Sequence, residues 1–284
     1  MLTHCNNFDT CIHNTICLDL DQIFDPNGNY LNVTYKNNKH ITHIILFRSN
    51  NNLLRIGDGF LWNCTKLTTM DLSHLSNIAS IGNDFLRNTK LTTIDLSPLS
   101  NVTSVGNHFL YDCSKLTTID LYPLSNVTSV DNCFLSYCTN LTSIDLSPLS
   151  NVTSIGSHFL CDCRKLATID LSPLSHIISV GNCFLSYCTK LTTINLAPLS
   201  NVTSIGDYFL SHTKFAKFDA LNIKSIDTRF LSLCENLATL HVNNNQFPMR
   251  ISRKLNRSDT NDEVDHIPMR KAFKKDMTYS NDEV

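Results

Sequence analysis

A column of aspartates, recurring every 24 or 25 residues, is the feature of the sequence best suited to bind a ligand. Its members are Asp71, Asp95, Asp120, Asp145 and Asp170, followed by Asn195 and Asp219. If equivalent positions stack about 5 Å apart, neighbouring carboxylates repel each other by roughly 1 kcal/mol even in water. This repulsion is expected to raise their mean pKa, and a basic segment or a divalent ion would relieve it.

A column of hydroxyl side chains runs two positions before the aspartates. It consists of Thr69, Thr93, Thr118, Ser143, Thr168 and Thr193. We define the Asp/Thr face as the predicted partner-binding residues Asp71, Asp95, Asp120, Asp145, Asp170, Thr93, Thr118 and Thr168. The alternative interpretation stays open: duplication of a polar strand face would copy both columns without any function.

Cysteine and histidine columns could supply metal ligands, but their spacing argues against a site. Cys64, Cys113, Cys138, Cys163, Cys188 and Cys234 form one column, which we interpret as core packing. His108, Cys133, His158 and Cys183 alternate in another. These residue types bind zinc, yet a straight row of four at strand spacing spans about 15 Å, too far to surround one ion. No metal and no other cofactor is predicted.

Catalytic motifs are missing from the chain. It contains no glycine-rich phosphate loop, no Gly-x-Ser-x-Gly elbow and no His-Glu-x-x-His pair. The segment at residues 25–29 resembles a calcium loop only superficially and is interpreted as a turn. We therefore expect no enzymatic activity.

These columns exist because one unit of 24 or 25 residues is repeated along the chain. Units begin at Ile41, Leu67, Leu91, Leu116, Leu141, Leu166, Leu191 and Phe215, with a truncated one at Leu237. In the unit at Leu91, the apolar residues Leu91, Ile94 and Leu96 predict a strand with one buried face. Pro98 ends this strand because proline cannot donate a ladder hydrogen bond.

The second half of each unit is predicted to turn and close the coil. Gly106 and its equivalents are expected to need positive φ, and the exceptions Asp131 and Asp227 are of a residue type that tolerates this conformation better than most. Phe109, Leu110 and Cys113 predict a short helical turn. Because no unit can bury both apolar faces alone, the units must stack into a solenoid, with the phenylalanines in an internal column. The predicted fold class is α/β: a parallel β-sheet on the concave face and short helical or 3-10 turns on the convex face.

Two parts of the unit resemble a known family. The pattern Leu-x-x-Ile-x-Leu resembles the leucine-rich repeat, and Val-Thr-Ser-Ile-Gly-x-x-Phe-Leu-x-x-Cys resembles its BspA-like subclass over about residues 41–242. That subclass occurs in surface antigens of bacteria and protists and in some large DNA viruses. The resemblance implies a solenoid that presents its concave face to a partner. The chain departs from it at Leu99, where ordinary leucine-rich repeats carry Asn or Cys, and in lacking a secretion-signal pattern.

Three regions are predicted along the chain. Residues 1–40 form an N-terminal cap, residues 41–247 the solenoid with its C-terminal cap, and residues 248–284 a charged, disordered tail. The tail contains a degenerate duplication, which we interpret as duplication in a solvated segment; a linear motif for a partner is the alternative.

Charge and hydropathy narrow the partners and the location. The net charge of -2 offers no basic surface for nucleic acid, and no run of about 20 apolar residues exists to insert into a membrane. The N-terminus lacks a signal-peptide pattern, so a cytoplasmic protein is predicted. Four glycosylation sequons, at Asn101, Asn126, Asn151 and Asn201, copy one repeat position and are interpreted as structural.

Together these patterns predict a non-catalytic interaction scaffold that binds another protein, one with a basic segment, on the concave Asp/Thr face. The alternative is a cell-surface or secreted BspA-like antigen or adhesin that leaves the cell by an unconventional route. A surface that orders a ligand through its threonines is a third hypothesis, disfavoured because only one threonine per strand is expected to face outward.

Overall fold

The computed structural model describes residues 37–47 and 54–214, together with the backbone of residues 15–19, 30–31, 217–218, 225–226 and 239–240. The chain divides into two units, residues 1–244 and 245–284, and the second lies outside the described residues. Most of the predicted caps and the whole predicted tail also lie outside them. The predicted domain boundaries therefore stay predictions.

Fourteen short strands pair exclusively in parallel within the part of the chain that is described. They are β1 (Thr15–Asp19), β2 (Tyr30–Leu31), β3 (His43–Phe47), β4 (Arg55–Ile56), β5 (Thr69–Asp71), β6 (Ser80–Ile81), β7 (Ser104–Val105), β8 (Ser129–Val130), β9 (Ser154–Ile155), β10 (Ser179–Val180), β11 (Ser204–Ile205), β12 (Lys217–Phe218), β13 (Ser225–Ile226) and β14 (Thr239–Leu240). Nine of them form one sheet in the order β13-β11-β10-β9-β8-β7-β6-β4-β2. Smaller sheets have the orders β1-β3-β5 and β12-β14.

The long sheet uses a different segment of the repeat from the predicted one. Its strands are the Ser-Ile or Ser-Val dipeptides of the second half of each unit. The segment Leu91–Leu96 and its equivalents up to residue 196 are not strands, although β3 and β5 near the N-terminus are. There the coils share single backbone bonds, such as that from the Thr142 N–H to the Thr117 carbonyl at 3.1 Å.

Within residues 54–214, six 3-10 turns make the corner after that segment. They are Ser73–Leu75, Ser97–Leu99, Tyr122–Leu124, Ser147–Leu149, Ser172–Leu174 and Ala197–Asn201. Five carry proline near their start, where its fixed φ suits the turn and its missing N–H is not needed. The turn predicted at Pro98 is confirmed, and the leucine that ends each corner is buried, as Leu99 is.

The segment that closes each coil is a ladder of turns rather than a helix, which corrects the predicted helical turn. Every second residue has positive φ: His108 at 61°, Leu110 at 51° and Asp112 at 55°. The His108 N–H donates to the carbonyl of Asn132 in the next coil at 2.8 Å, and the Leu110 N–H donates to that of Phe85 in the preceding coil at 3.0 Å. Alternating backbone handedness thus directs N–H groups to both neighbouring coils, where a helix would direct them along its own axis. We call residues 106–113 and their equivalents the turn ladder.

The repeated glycine is required by close approach between coils and not by its φ angle. Among the described glycines, only Gly59 has positive φ. A Cβ atom at Gly106 would lie 2.8 Å from the backbone nitrogen of Asn83 and 2.8 Å from the carbonyl carbon of Gly82. The predicted positive φ is therefore wrong for Gly106, and also for Asp131, which occupies the same column without it.

Phenylalanine and cysteine columns fill the interior between coils. Phe60, Phe85, Phe109, Phe134, Phe159, Phe184 and Phe209 are each at most 1% exposed. Successive rings stack with centroids 5.6, 5.3, 5.3, 5.8, 5.4 and 5.4 Å apart, which confirms the predicted internal column. Phe230 lies outside the described residues.

The cysteine column is buried from Cys64 to Cys188, as its interpretation as core packing predicted, and Cys234 lies outside the described residues. The Cys113 thiol lies 3.2 Å from the carbonyl oxygen of Leu86, and Cys138, Cys163 and Cys188 repeat this contact one coil further on each time. Thr89 and Thr213 take the cysteine position in the two shorter units. Burial raises the pKa of the Cys113 thiol to about 11. A buried, protonated thiol suits packing and not nucleophilic chemistry.

Candidate functional site

The aspartates of the Asp/Thr face are all exposed, and each one accepts a hydrogen bond from the first residue of the 3-10 turn that follows it. The Asp95 carboxylate accepts hydrogen bonds from the Ser97 N–H at 2.8 Å and from the Ser97 hydroxyl at 2.6 Å. The same backbone bond recurs at Asp71, Asp120, Asp145, Asp170 and Asn195, with lengths of 2.8 to 3.0 Å. The column therefore has a structural role that neither sequence interpretation foresaw, and Asp219 lies outside the described residues.

These hydrogen bonds reverse the predicted effect of charge repulsion. Hydrogen bonds from the Ser97 hydroxyl and N–H lower the pKa of Asp95, and those from Ser147 lower the pKa of Asp145. The Ser172 N–H and hydroxyl lower the pKa of Asp170, while the charge of Asp145 opposes this shift with a smaller effect. The predicted rise in pKa is wrong because two short local hydrogen bonds outweigh repulsion between carboxylates that water screens.

Replacing Asp145 by alanine is expected to lower the melting temperature by a few degrees at pH 7. The folded-state pKa of Asp145 is depressed, so its contribution to stability is present above the unfolded value of about 4 and is lost as pH falls through the folded value. The Asp145→Ala variant should therefore lose less stability on acidification than the wild type. The control is Asp145→Asn, which keeps the turn acceptor as Asn195 does and should melt closer to the wild type at pH 7. Thermal melts at pH 7 and between pH 4 and 2 measure both effects. Equal melting temperatures for the two variants would show that the hydrogen bond from the Ser147 N–H does not stabilise the turn.

The threonines of the face are exposed as well, and their neighbours add to them. Thr93, Thr118 and Thr168 are exposed, and so are Thr92 and Thr117 one position earlier. Two threonine hydroxyls per coil thus reach the surface in the units of Thr93 and Thr118, which corrects the expectation of one, whereas Ala167 precedes Thr168. The structure therefore places all eight predicted residues at equivalent exposed positions of neighbouring coils. That this face is concave stays a prediction.

One large side chain departs from the repeat on this surface. Tyr122 stands where four other units carry the serines Ser73, Ser97, Ser147 and Ser172, and its side chain is 74% exposed. It borders an open recess of about 530 Å³ between two coils, lined by Asp120, Tyr122, Ser125, Asp145, Ser147, Pro148, Ser150 and Asn151. The sequence prediction missed Tyr122 because it followed what the repeats share; the signal was the single Tyr-Pro among Ser-Pro pairs.

Two columns of polar side chains link the coils. The Asn101 side-chain amide donates to the Ser76 carbonyl at 2.8 Å, and Asn126, Asn151 and Asn201 donate to the equivalent carbonyls, which supports the structural interpretation of these sequons. A second column, not recognised in the sequence, follows the glycines: Asp58, Asn83, Asn107, Asn132, Ser157, Asn182 and Asp207. In it, the Asn83 side-chain oxygen accepts from the Asn107 N–H at 2.9 Å, and the bond repeats along the column. Its signal was the polar residue after each glycine.

The turn ladder carries the most varied side chains. Asp84 contacts Arg87 at 2.8 Å and His108 at 3.1 Å, and the Arg87 guanidinium lies 5.4 Å from the Trp62 ring and 4.8 Å from the Tyr111 ring. Burial acts to raise the pKa of Asp84, but His108 and Arg87 together lower it. Burial, with a further effect from His108, lowers the pKa of His158 to about 4. The described residues contain no group of three or more His, Cys, Asp or Glu side chains placed to hold a metal ion.

Parallel coils with a buried leucine frame, a continuous short-stranded sheet and 3-10 corners define a leucine-rich-repeat solenoid, and this confirms the predicted fold class. The chain belongs to the BspA-type leucine-rich repeat family. The sequence profile described as "BspA type Leucine rich repeat region (6 copies)" matches residues 31–166 and 123–238. Within the described residues, no helix has the length and apolar character needed to cross a bilayer.

Solved structures of bacterial leucine-rich repeat proteins are similar to the chain. A protein from Bacteroides ovatus ATCC 8483 is 22% identical over 62% of this chain, with a TM-score of 0.41, and the match spans 54% of that protein. A leucine rich cell surface protein from Faecalibacterium prausnitzii A2-165 is 15% identical over 82% of this chain and 79% of its own, with a TM-score of 0.46. A protein from Eubacterium ventriosum ATCC 27560 is 16% identical over 72% of this chain and 60% of its own, with a TM-score of 0.45. No curated protein matches the sequence.

Proposed function

We propose that the protein is a non-catalytic interaction scaffold that binds another protein through the Asp/Thr face. The observation that carries this proposal is a row of exposed carboxylates, each oriented by a hydrogen bond from the first residue of the following turn. Side chains that are already ordered lose little conformational entropy when a partner binds, so more of the interaction energy is retained as affinity.

The partner is expected to contribute a basic segment. Carboxylates with depressed pKa values, as at Asp95, Asp145 and Asp170, stay ionised well below neutral pH. Lysine and arginine side chains form charge-assisted hydrogen bonds with such groups. Because the carboxylates are exposed, binding should weaken as salt concentration rises.

Thiol chemistry supports a scaffold over an enzyme. Nucleophilic catalysis by cysteine requires a thiolate, which forms readily only when the pKa is lowered. Burial instead raises the pKa of Cys113 to about 11 and that of Cys133 to about 12. These thiols remain protonated at neutral pH.

A cytoplasmic location is part of the proposal. The eight cysteines within the described residues are all free, as is usual in a reducing compartment. The amide nitrogens that glycosylation would modify, in Asn101 and its equivalents, are engaged in hydrogen bonds between coils. The alternative is a cell-surface or extracellular antigen or adhesin, in keeping with the surface antigens of the subclass. Glycan on Asn101 or Asn151 of protein isolated from its source cells would favour that alternative.

Affinity capture from extract of the source cells tests the scaffold function. The bait is the full chain, compared with a variant carrying Asp95→Asn, Asp120→Asn and Asp145→Asn. Asparagine keeps the turn acceptor, as Asn195 shows, so this variant should fold while losing three charges. We expect a protein captured by the wild type to be depleted at least tenfold with the variant.

A matched control distinguishes an effect of the Asp/Thr face from an effect of the net charge of the protein. The variant Asp58→Asn, Asp131→Asn, Asp207→Asn removes three charges from other positions of the coils. It should capture the partner as the wild type does. Equal capture by all three baits would show that the Asp/Thr face is not the binding surface.

A further inference from the structure

The recess beside Tyr122 lies where two neighbouring coils meet on the Asp/Thr face. Tyr122 and Ser125 contribute from one coil, and Asp145, Ser147 and Asn151 contribute from the next. We propose that this recess holds the side chain of an arginine from the partner protein, stacked on the Tyr122 ring and hydrogen-bonded to Asp120 and Asp145. The inference rests on the proposed function, because it names the group that the Asp/Thr face recognises.

The walls of the recess are fixed before anything binds. The Asp120 carboxylate accepts from the Tyr122 N–H at 2.8 Å, and the Asp145 carboxylate accepts from the Ser147 N–H at 2.8 Å. Both bonds use the Oδ1 atom, so the Oδ2 atoms can accept from a ligand. The Asn151 side-chain amide bridges the coils by donating to the Ser125 carbonyl at 3.1 Å. Two carboxylates are thus held in set orientations beside an exposed aromatic ring.

This combination of groups favours arginine over other cations. A guanidinium is planar, so one face can stack on the Tyr122 ring while its edge donates to two carboxylates. A lysine ammonium has no plane to stack and is more strongly hydrated. A divalent ion prefers six or more oxygen ligands, and the phenyl ring of Tyr122 supplies none. The recess volume of about 530 Å³ lies within the range of small-molecule pockets and leaves ample room for one arginine side chain.

The repeat supplies an internal comparison for the site. Residues 107–156 and 157–206 are close copies of each other. Asp120 in the first copy corresponds to Asp170 in the second. The second copy has Ser172 in place of Tyr122 and Asn195 in place of Asp145. Copying of a repeat explains the aspartate column but not a tyrosine that only one unit carries at this position. The ring and the second carboxylate therefore occur together at one coil pair.

Binding of labelled peptides to the full chain tests the inference. The probe is a fluorescein-labelled Gly/Ser peptide with three arginines, and the matched peptides carry lysine or neutral citrulline instead. Fluorescence anisotropy at low salt measures the affinity for the wild type and for Tyr122→Ser, which introduces the serine that four other units carry. We expect Tyr122→Ser to weaken the arginine peptide about tenfold and to reduce its preference over the lysine peptide. A thermal melt equal to the wild type shows that the exposed substitution leaves the fold intact.

A gain-of-function variant completes the test. Ser172→Tyr with Asn195→Asp rebuilds the same three groups in the second copy, and it should add a second arginine-dependent site. Wild-type affinity in Tyr122→Ser, or equal affinity for the arginine and citrulline peptides, would overturn the inference. If the triple aspartate variant loses the captured partner while Tyr122→Ser retains full peptide affinity, the proposed function stands and the arginine site does not. If the triple variant keeps its partner, the proposed function itself fails.

Discussion

Replacing Phe134 by alanine is expected to lower the free energy of unfolding by about 3–5 kcal/mol. The ring is 1% exposed and lies between Phe109 and Phe159, with centroid distances of 5.3 and 5.8 Å. Truncation removes both stacking contacts and opens a void that the neighbouring coils cannot close. They cannot move together because backbone hydrogen bonds already set their spacing, as from the Leu135 N–H to the Phe109 carbonyl at 3.0 Å.

Urea unfolding followed by circular dichroism measures this loss. Phe134→Leu is the control, since leucine keeps most of the buried apolar volume and should lose clearly less than alanine. Tyr122→Ser, which removes an exposed ring, should lose almost nothing. A loss below about 1 kcal/mol for Phe134→Ala would mean that the phenylalanine column contributes little to holding the coils together.

Replacing Gly106 by alanine is the second large expected effect, a loss of about 1–3 kcal/mol. The added Cβ would lie 2.8 Å from the backbone of both Asn83 and Gly82. Backbone atoms cannot rotate away as a side chain can. The coils must instead separate locally, which lengthens the bond from the Gly106 N–H to the Ile81 carbonyl, now 2.9 Å.

Asp131 provides a matched control in the same column. Its unit already accommodates a Cβ atom there, so Asp131→Ala introduces no new backbone contact and should cost far less than Gly106→Ala. Urea unfolding of the two variants makes the comparison directly. Equal losses would indicate that the glycine column reflects repeat copying and not steric need.

Much of the core could be predicted because positions that are apolar in every unit must be buried between the stacked coils. The phenylalanine column, the buried cysteines and the turn at Pro98 all follow from spacing and residue type. The sheet was assigned to the wrong half of the unit, since Leu91–Leu96 and Ser104–Val105 both carry apolar residues that a strand could bury. Periodicity alone does not say which segment continues into a hydrogen-bonded ladder.

The positive φ angles of the turn ladder could not be predicted from residue type. Leu86 and Leu110 have φ of 53° and 51°. This conformation is energetically unfavourable for leucine unless hydrogen bonds compensate it. Hydrogen bonds to both neighbouring coils compensate that cost, and they exist only once the coils have stacked. Glycine, the residue that usually signals positive φ, was needed here for another reason.

The candidate site was predictable in position but not in detail. Exposure of Asp95 and its equivalents follows from the buried Ile94 and Leu96 on either side. The lowered pKa values of Asp95, Asp145 and Asp170 do not, because they depend on the local hydrogen bonds from the residue two positions later. Tyr122 was overlooked since a comparison of repeats emphasises what they share, while a specific contact comes from what one repeat has alone.

The turn ladder allows the number of coils in this protein to change. Each coil bonds to the coil before it and the coil after it, through residues such as Leu110 and His108, and the described bonds of this ladder reach no further. A whole coil can therefore be inserted or removed in the middle of the array, and the two coils at the junction meet the same donors and acceptors as before. Gene duplication in steps of one or two units can then lengthen the Asp/Thr face. Each added coil contributes one more aspartate position and leaves the other coils unchanged.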